Sequence, residues 1–186
     1  MKLRLRFIII VLLAFKSLII NAQESVGNFD HLYGYDAFLY NGRIYSFLPE
    51  TGTIGSQYLL NEFDINGKVN LRGVSYFNLT INYDLYNQQL ILKYTNAIGS
   101  VSQIEISEAW LESFDLYSQH FEYLPLPDST KRIFQVLGDG PLKVAYYHRK
   151  DISLNTRTSS TEHYYSDPIL EKFVLNGNQM NKYKNN

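Results

Sequence analysis

Few side chains in this sequence have the types and spacing that metal or acid–base chemistry needs. His120 and Glu122 would share one face of a strand and could give two ligands to a zinc ion, which requires three or four. The chain has four histidines and no cysteine to supply the others. We therefore interpret His120 and Glu122 as a solvated polar pair and predict no metal site.

The sequence also lacks patterns for catalysis or cofactor binding. Glu62-Phe-Asp-Ile-Asn-Gly67 follows the first half of a calcium loop, but Gly73 stands where such a loop ends in a bidentate glutamate. A turn rich in Asp and Asn is the simpler interpretation. Neither a Gly-x-Ser-x-Gly nucleophile elbow nor a phosphate-binding glycine loop occurs. We predict that the protein has no catalytic residue, holds no cofactor and is not an enzyme.

The tyrosines are candidates for a binding surface, since the chain has 16 of them beside 11 phenylalanines. On the outer face of a sheet, a tyrosine ring is a rigid amphipathic contact surface of the kind used in protein recognition, and aromatic rings can also support a sugar. The competing interpretation is that these rings stabilise cross-strand pairs. The candidates are Tyr40, Tyr45, Tyr86, Tyr146 and Tyr147.

The N-terminus has the three parts of a secretory signal peptide, which we assign to residues 1–22. Basic residues at positions 2, 4 and 6 precede an apolar run from Phe7 to Ile20, and the small residue Ala22 follows. The run contains Lys16 and is shorter than the roughly 20 apolar residues of a spanning helix, so we predict cleavage, with an uncleaved anchor as the alternative. The protein is therefore expected to be exported and either periplasmic, outer-membrane-associated or secreted, with no transmembrane helix in the mature chain.

The charge balance of the exported part argues against binding to nucleic acid. The whole chain has 17 Lys and Arg against 18 Asp and Glu. The first 22 residues hold four of the basic side chains and no acidic one, which leaves 13 basic and 18 acidic side chains, a net charge of −5. A nucleic-acid binder would usually show a basic face.

The sequence predicts five β-hairpins from turn residues between alternating apolar runs. Around the third turn, positions 81, 83, 85, 90, 92 and 94 are all Ile, Leu or Tyr and fall on one face. The last hairpin sets Lys182 opposite Glu171. The five turns are Asn41-Gly42, Arg72-Gly73, Asn87-Gln88, Gly138-Asp139-Gly140 and Asn176-Gly177.

These hairpins, with an aromatic content of 15%, predict an all-β fold: an antiparallel meander of hairpins that forms a sandwich or partial barrel. At most one short helix is expected, within residues 107–116, where Ser107 could cap it. We predict residues 23–35 as a leader, 36–183 as a single β domain and 184–186 as a polar tail. The predicted loops are residues 49–56, 125–130 and 151–168, the last of them mobile.

The strand-and-turn pattern of residues 66–92 resembles a family of small exported proteins of unknown function from Bacteroidota. The likeness continues through His120-Phe-Glu-Tyr-Leu and Gly140-Pro-Leu-Lys-Val-Ala-Tyr-Tyr-His-Arg-Lys. The resemblance implies a cell-envelope or secreted location and supplies no activity. In such proteins a short Asp-Ser/Thr-x signal directs O-glycosylation, and Asp128-Ser129-Thr130 is similar to it, so Ser129 is a candidate modification site.

The most favoured function is a non-enzymatic binding or structural module of the cell envelope, with a protein or glycan partner. A small outer-membrane β-barrel is the alternative, because the chain length suits eight strands. Several predicted strands are shorter than the roughly 9 to 11 residues of a tilted membrane strand, which argues against it. A glycan or peptide hydrolase is a less favoured alternative, since carboxylate pairs acquire their separation only in the fold.

Overall fold

The computed structural model describes residues 35–96, 98–126, 128–155, 162–177 and 179–183. The predicted signal peptide, the predicted tail and all of the predicted leader except its last residue lie outside the described residues. Within the described part, no helix is long and apolar enough to cross a membrane.

The described residues form 13 strands, and eleven of them make one antiparallel sheet. Its strands lie in the order β1-β5-β4-β3-β2-β6-β7-β8-β9-β12-β13, so β1 and β13 are its two edges, and β10 and β11 form a separate hairpin. The prediction of an antiparallel all-β fold is confirmed. The strands are β1 (Arg43–Ile44), β2 (Asp64–Leu71), β3 (Val74–Asp84), β4 (Gln89–Thr95), β5 (Val101–Glu105), β6 (Leu111–Leu116), β7 (Gln119–Pro125), β8 (Lys131–Leu137), β9 (Leu142–Arg149), β10 (Ile152–Asn155), β11 (Glu162–Tyr165), β12 (Ile169–Asn176) and β13 (Gln179–Lys182).

The sheet curls, as the short connection between β5 and β6 requires. These strands are four places apart in the sheet, about 19 Å at the usual strand spacing. The connection is not extended, because the amides of Trp110 and Leu111 both donate to the carbonyl of Ser107 and fold it into a turn. It is therefore too short to join these strands across a flat sheet. In agreement, the ring of Tyr83 on β3 lies 5.8 Å from those of Phe114 on β6 and Phe121 on β7.

The curled sheet has a main core on one face and a smaller cluster on the other. Residues adjacent in a strand point to opposite faces, and Ile133 belongs to the main core while Phe134 belongs to the smaller cluster. The main core is made chiefly by β2 to β7 and includes Val69, Leu71, Ile81, Tyr83, Leu90, Leu92, Phe114, Leu116 and Phe121. The smaller cluster comprises Phe134, Val136, Ala145, Tyr147, Phe173, Leu175 and Met180.

In two of the predicted hairpins, the predicted turn residues lie in the connection between the two strands. In the Arg72-Gly73 hairpin, Leu71 pairs with Val74, and both turn residues have positive φ, 50° and 79°. Gly138-Asp139-Gly140 lies between β8 and β9, with Leu137 paired to Val144. Arginine is uncommon at positive φ, and here its guanidinium lies over the ring of Trp110.

The prediction of a two-residue hairpin at Asn41-Gly42 is wrong. Arg43 and Ile44 pair with Glu105 and Ile104 of β5, and Gly42 does not have positive φ. The preceding residues form a turn instead, because Oδ1 of Asp36 accepts hydrogen bonds from the amides of Phe38 and Leu39. Pairing with the open edge of β5 therefore replaces the local hairpin.

Two other hairpins keep the predicted faces but change register or loop. Tyr83 pairs with Leu90, and the loop after β3 has the four residues 85–88. The prediction that the apolar side chains of this hairpin share one face is confirmed. Lys182 pairs with Phe173 and not with Glu171, a shift of two residues from the prediction. A shift of two preserves the face, and Nζ of Lys182 still donates to Oε2 of Glu171 at 2.6 Å.

The remaining local predictions are partly confirmed. The candidate helix at 107–116 is a single turn followed by strand β6. The predicted mobile loop 151–168 contains the hairpin β10–β11, in which Ile152 pairs with Tyr165. The sequence predicts a loop there because the run is rich in Ser and Thr, and residues 156–161 of it lie outside the described part.

Candidate functional site

A cleft of about 450 Å³ lies on the face of the sheet opposite the main core. Its volume is within the range of small-molecule sites, roughly 300–1,000 Å³. The residues that line it are Tyr45, Ser46, Phe47, Leu48, Pro49, Gln57, Tyr58 and Gln103.

One wall of the cleft continues strand β1 along the edge of β5. The amide of Tyr45 donates to the carbonyl of Gln103 at 3.0 Å, which extends the pairing of Arg43 with Glu105. Tyr45 and Gln103 therefore project from the same face of the sheet. Gln103 follows Ser102 and precedes the core residue Ile104, and strand alternation turns its side chain away from the core.

The other wall is the segment 57–59, which runs antiparallel beside the end of β3. The amide of Leu85 donates to the carbonyl of Gln57 at 2.9 Å, and the amide of Leu59 donates to that of Tyr83 at 2.8 Å. These bonds set Tyr58 opposite Asp84. The side chain of Tyr58 is thereby brought to the same face as Tyr45.

Two polar side chains, the buried Asn82 and the half-buried Lys150, hold this second wall in place. The amide nitrogen of Asn82 donates to the carbonyls of Leu60 and Glu62, at 3.0 and 3.3 Å, and its oxygen accepts from the amide of Leu60. Nζ of Lys150 donates to the carbonyls of Ser56 and Tyr58, at 2.7 and 3.0 Å. Because burial disfavours the charged amine, the pKa of Lys150 is lowered from its ordinary value.

Asp84 connects the two walls, because it lies opposite Tyr58 and accepts a hydrogen bond from Tyr45. Its carboxylate is fully buried, and Oδ1 accepts hydrogen bonds from the amides of Tyr86 and Asn87. Oδ2 accepts from the side-chain amide of Asn87 and from the hydroxyl of Tyr45 at 2.6 Å. Four donors thus satisfy the carboxylate without a directly bonded cation.

The two cleft tyrosines stay neutral at physiological pH. Burial and the hydrogen bond to Asp84 raise the pKa of Tyr45, and burial also raises the pKa of Tyr58. Nε2 of Gln57 donates to the hydroxyl of Tyr45 at 3.3 Å. The hydroxyl of Tyr45 is therefore engaged on both sides, and its ring is the part left to contact a ligand.

An aromatic chain supports the rim of the cleft. The ring of Phe47 lies 5.5 Å from that of Tyr86, which lies 5.7 Å from that of Tyr165. The hydroxyl of Tyr165 is buried and has no hydrogen-bond partner among the described residues. Burial raises the pKa of Tyr165 to about 12.

The charged groups around the cleft contact other protein groups. NH2 of Arg43 lies 2.8 Å from Oε2 of Glu105, and Nδ1 of His163 lies 2.6 Å from Oε2 of Glu50. Nζ of Lys93 lies over the ring of Phe63. The eight lining side chains carry no formal charge at neutral pH.

The structure brings two of the five candidate tyrosines to this cleft. Tyr45 lines it, and Tyr86 lies behind Phe47 with 38% of its surface exposed. Tyr40 instead packs edge-on against Tyr35 and Tyr94. That trio lies beside the main core, so Tyr40 is half-buried.

The two remaining tyrosines, which are adjacent on β9, point to opposite faces. Tyr147 is buried between the ring of Phe134 and the guanidinium of Arg132. Tyr146 is half-buried on the other face, where its backbone partner is Gln135. Neither residue belongs to the cleft.

Ser129 lies in an exposed turn after β7. Its φ is 66°, and its amide donates to the carbonyl of Leu126 at 2.9 Å. Oδ1 of Asp128 accepts hydrogen bonds from the amide and the hydroxyl of Thr130. The hydroxyl of Ser129 makes no hydrogen bond with the described residues.

The side chains first considered for metal binding are engaged with protein partners. Nδ1 of His120 contacts Oδ1 of Asp115 at 2.5 Å, and Glu122 accepts from Nζ of Lys143. The carboxylate of Asp64 accepts from the amides of Asn66 and Tyr117. Among the described residues, no group of three or more ligand side chains could hold a metal ion.

Sequence reasoning missed Phe47, Gln57, Tyr58 and Gln103 as cleft residues. Gln103 alternates with core positions in a predicted strand. This alternation indicates that its side chain points away from the core, but it does not indicate which residues lie beside it. Residues 49–56 are predicted only as a loop, and the fold shows that the residues on both sides of this loop meet at one surface. Comparisons with protein-family models, curated proteins and solved structures gave no match.

Proposed function

We propose that this chain is an exported, non-enzymatic binding module of the cell envelope, and that the cleft is its binding site. The observation that carries the proposal is the lining of the cleft: aromatic rings, amides and a hydroxyl on fixed backbone walls. Pockets of this composition bind ligands by apolar contact, with a few polar groups that set orientation. Asp84, Asn82 and Lys150 hold those walls in place, which lowers the entropy cost of binding.

The export part of the proposal rests on residues 1–22, with their basic start, apolar run and small final residue. Fractionation of the native host, with intact-mass analysis of the protein in each fraction, tests it. We expect a species that begins at Gln23 in the periplasmic, outer-membrane or secreted fraction. A cytoplasmic species that retains Met1 would contradict export.

Capture of envelope components tests the binding part. Wild-type protein from the host, immobilised, is exposed separately to the protein and glycan fractions of the native envelope. Phe47→Ala removes a cleft ring, and Phe77→Ala removes an exposed ring on β3 that does not line the cleft. We expect a component that the wild type and Phe77→Ala retain and Phe47→Ala loses. Retention that is unaffected by Phe47→Ala, or no retained component, would overturn the proposal.

A further inference from the structure

We infer that the ligand of the cleft is a neutral sugar ring, an inference that rests on the proposed binding function and adds the chemical class of the ligand. Three properties of the cleft lead to it: its lack of charge, the rings it offers, and the polar groups that have no protein partner.

The first property is electrical neutrality. A charged ligand would lose hydration on entering the cleft and would need an opposite charge in return. The charged groups nearest the lining are already bonded to the protein, since the carboxylate of Asp84 accepts four hydrogen bonds and Nζ of Lys150 donates to two carbonyls. A neutral ligand enters without that cost.

The second property is the set of fixed aromatic rings. Because the hydroxyl of Tyr45 is bonded to Asp84 and Gln57, this residue presents its ring as an apolar surface of defined orientation. Phe47 is supported from behind by Tyr86. The C–H groups on one face of a pyranose are its apolar surface, and they pack against aromatic rings of this kind.

The third property is the presence of unpartnered polar groups beside those rings. The side-chain amide of Gln103 and the hydroxyl of Ser46 make no hydrogen bond with the described residues. An amide offers two donors and an acceptor, and a hydroxyl offers both roles. Neighbouring sugar hydroxyls, each a donor and an acceptor, match this combination.

Titration calorimetry with protein purified from the host tests the inference. The neutral probes are cellotetraose, maltotetraose, mannotetraose, chitotetraose and the neutral glycan fraction of the native envelope. The comparison probes are tetragalacturonate, which is anionic, and a neutral proline-rich peptide. We expect at least one neutral sugar to bind, and tetragalacturonate to bind at least about tenfold more weakly, because the lining residues offer no cation to a carboxylate.

Two matched variants locate the binding. Gln103→Leu removes the free amide of the cleft, and Gln179→Leu removes an exposed amide on β13, at the opposite edge of the sheet. We expect Gln103→Leu to weaken binding of the sugar by about tenfold, the loss of one or two hydrogen bonds. Gln179→Leu should bind as the wild type does. Unchanged melting temperatures establish that both variants are folded.

The outcomes separate this inference from the function on which it rests. If no neutral sugar binds, or if Gln103→Leu binds as tightly as the wild type, the sugar inference is overturned. If envelope capture then still depends on Phe47, the binding function stands with a ligand of another class, such as the peptide. If capture does not depend on Phe47 either, both proposals fall.

Discussion

The hydroxyl of Tyr45 donates to Oδ2 of Asp84 across 2.6 Å, although 39 positions separate the two residues in the chain. Asp84 is fully buried at the end of β3, whereas Tyr45 follows the edge strand β1. The bond therefore ties the edge of the sheet to its interior strands and sets the orientation of a cleft wall.

Tyr45→Phe should destabilise the protein by about 1–2 kcal/mol, because the buried carboxylate of Asp84 loses one of its four donors. Thermal unfolding measures the effect as a melting temperature lower by several degrees. Tyr117→Phe is the control, since Tyr117 is 67% exposed. Equal melting temperatures for the two variants would show that the bond contributes nothing to stability.

Asn82→Asp should cost roughly 2–3 kcal/mol in urea unfolding. The new carboxylate cannot donate to the carbonyls of Leu60 and Glu62, and it would stand two residues from the buried carboxylate of Asp84 on the same face. Asn78→Asp is the matched control, because Asn78 is exposed on the same strand. A similarly small loss of unfolding free energy in both variants would contradict the proposal that Asn82 holds the segment at Leu60 and Glu62 in place.

Gly42→Ala should destabilise the protein by about 1–3 kcal/mol, the usual cost of overpacking. The added Cβ would lie 2.0 Å from the carbonyl oxygen of Glu105, so β1 could pair with β5 only after backbone movement. Gly140→Ala is the control, since its Cβ would meet nothing closer than 4.0 Å and its φ is not positive. Wild-type stability in Gly42→Ala would refute the close approach of β1 to β5.

Stability should fall as the pH is lowered from about 6.5 to about 4, through His148. Burial lowers its pKa to about 4 from the ordinary 6.5, so in this range the unfolded chain binds a proton that the folded protein does not. The contribution is complete above 6.5 and amounts to at most about 3 kcal/mol.

Urea unfolding at several pH values checks this contribution, with His148→Gln as the variant that cannot titrate. Glutamine can keep a hydrogen bond to Gln135, which the ring nitrogen of His148 contacts at 2.7 Å. The wild type should lose stability relative to His148→Gln as the pH falls. A difference that does not change between pH 7 and pH 4 would show that His148 titrates normally.

The sequence alone determined the core faces of the regularly alternating strands. Alternation of Ile, Leu and Tyr around residues 85–88 defined the core side of β3 and β4, and a register shift of two residues left that side unchanged. Lys182 and Glu171 meet for the same reason, although they are not backbone partners. Period-two alternation is a local property, so it can be read from neighbouring residues.

Only the tertiary structure decided which strands distant in the sequence lie side by side, and hence where the cleft forms. Asn41-Gly42 has the residues of a tight turn, but Arg43 and Ile44 pair with the open edge of β5 instead. Gln103, Tyr45 and Tyr58 meet because the sheet brings distant segments to one face. Long-range pairing depends on the competition between all strand edges for partners, and no single stretch of sequence contains that information.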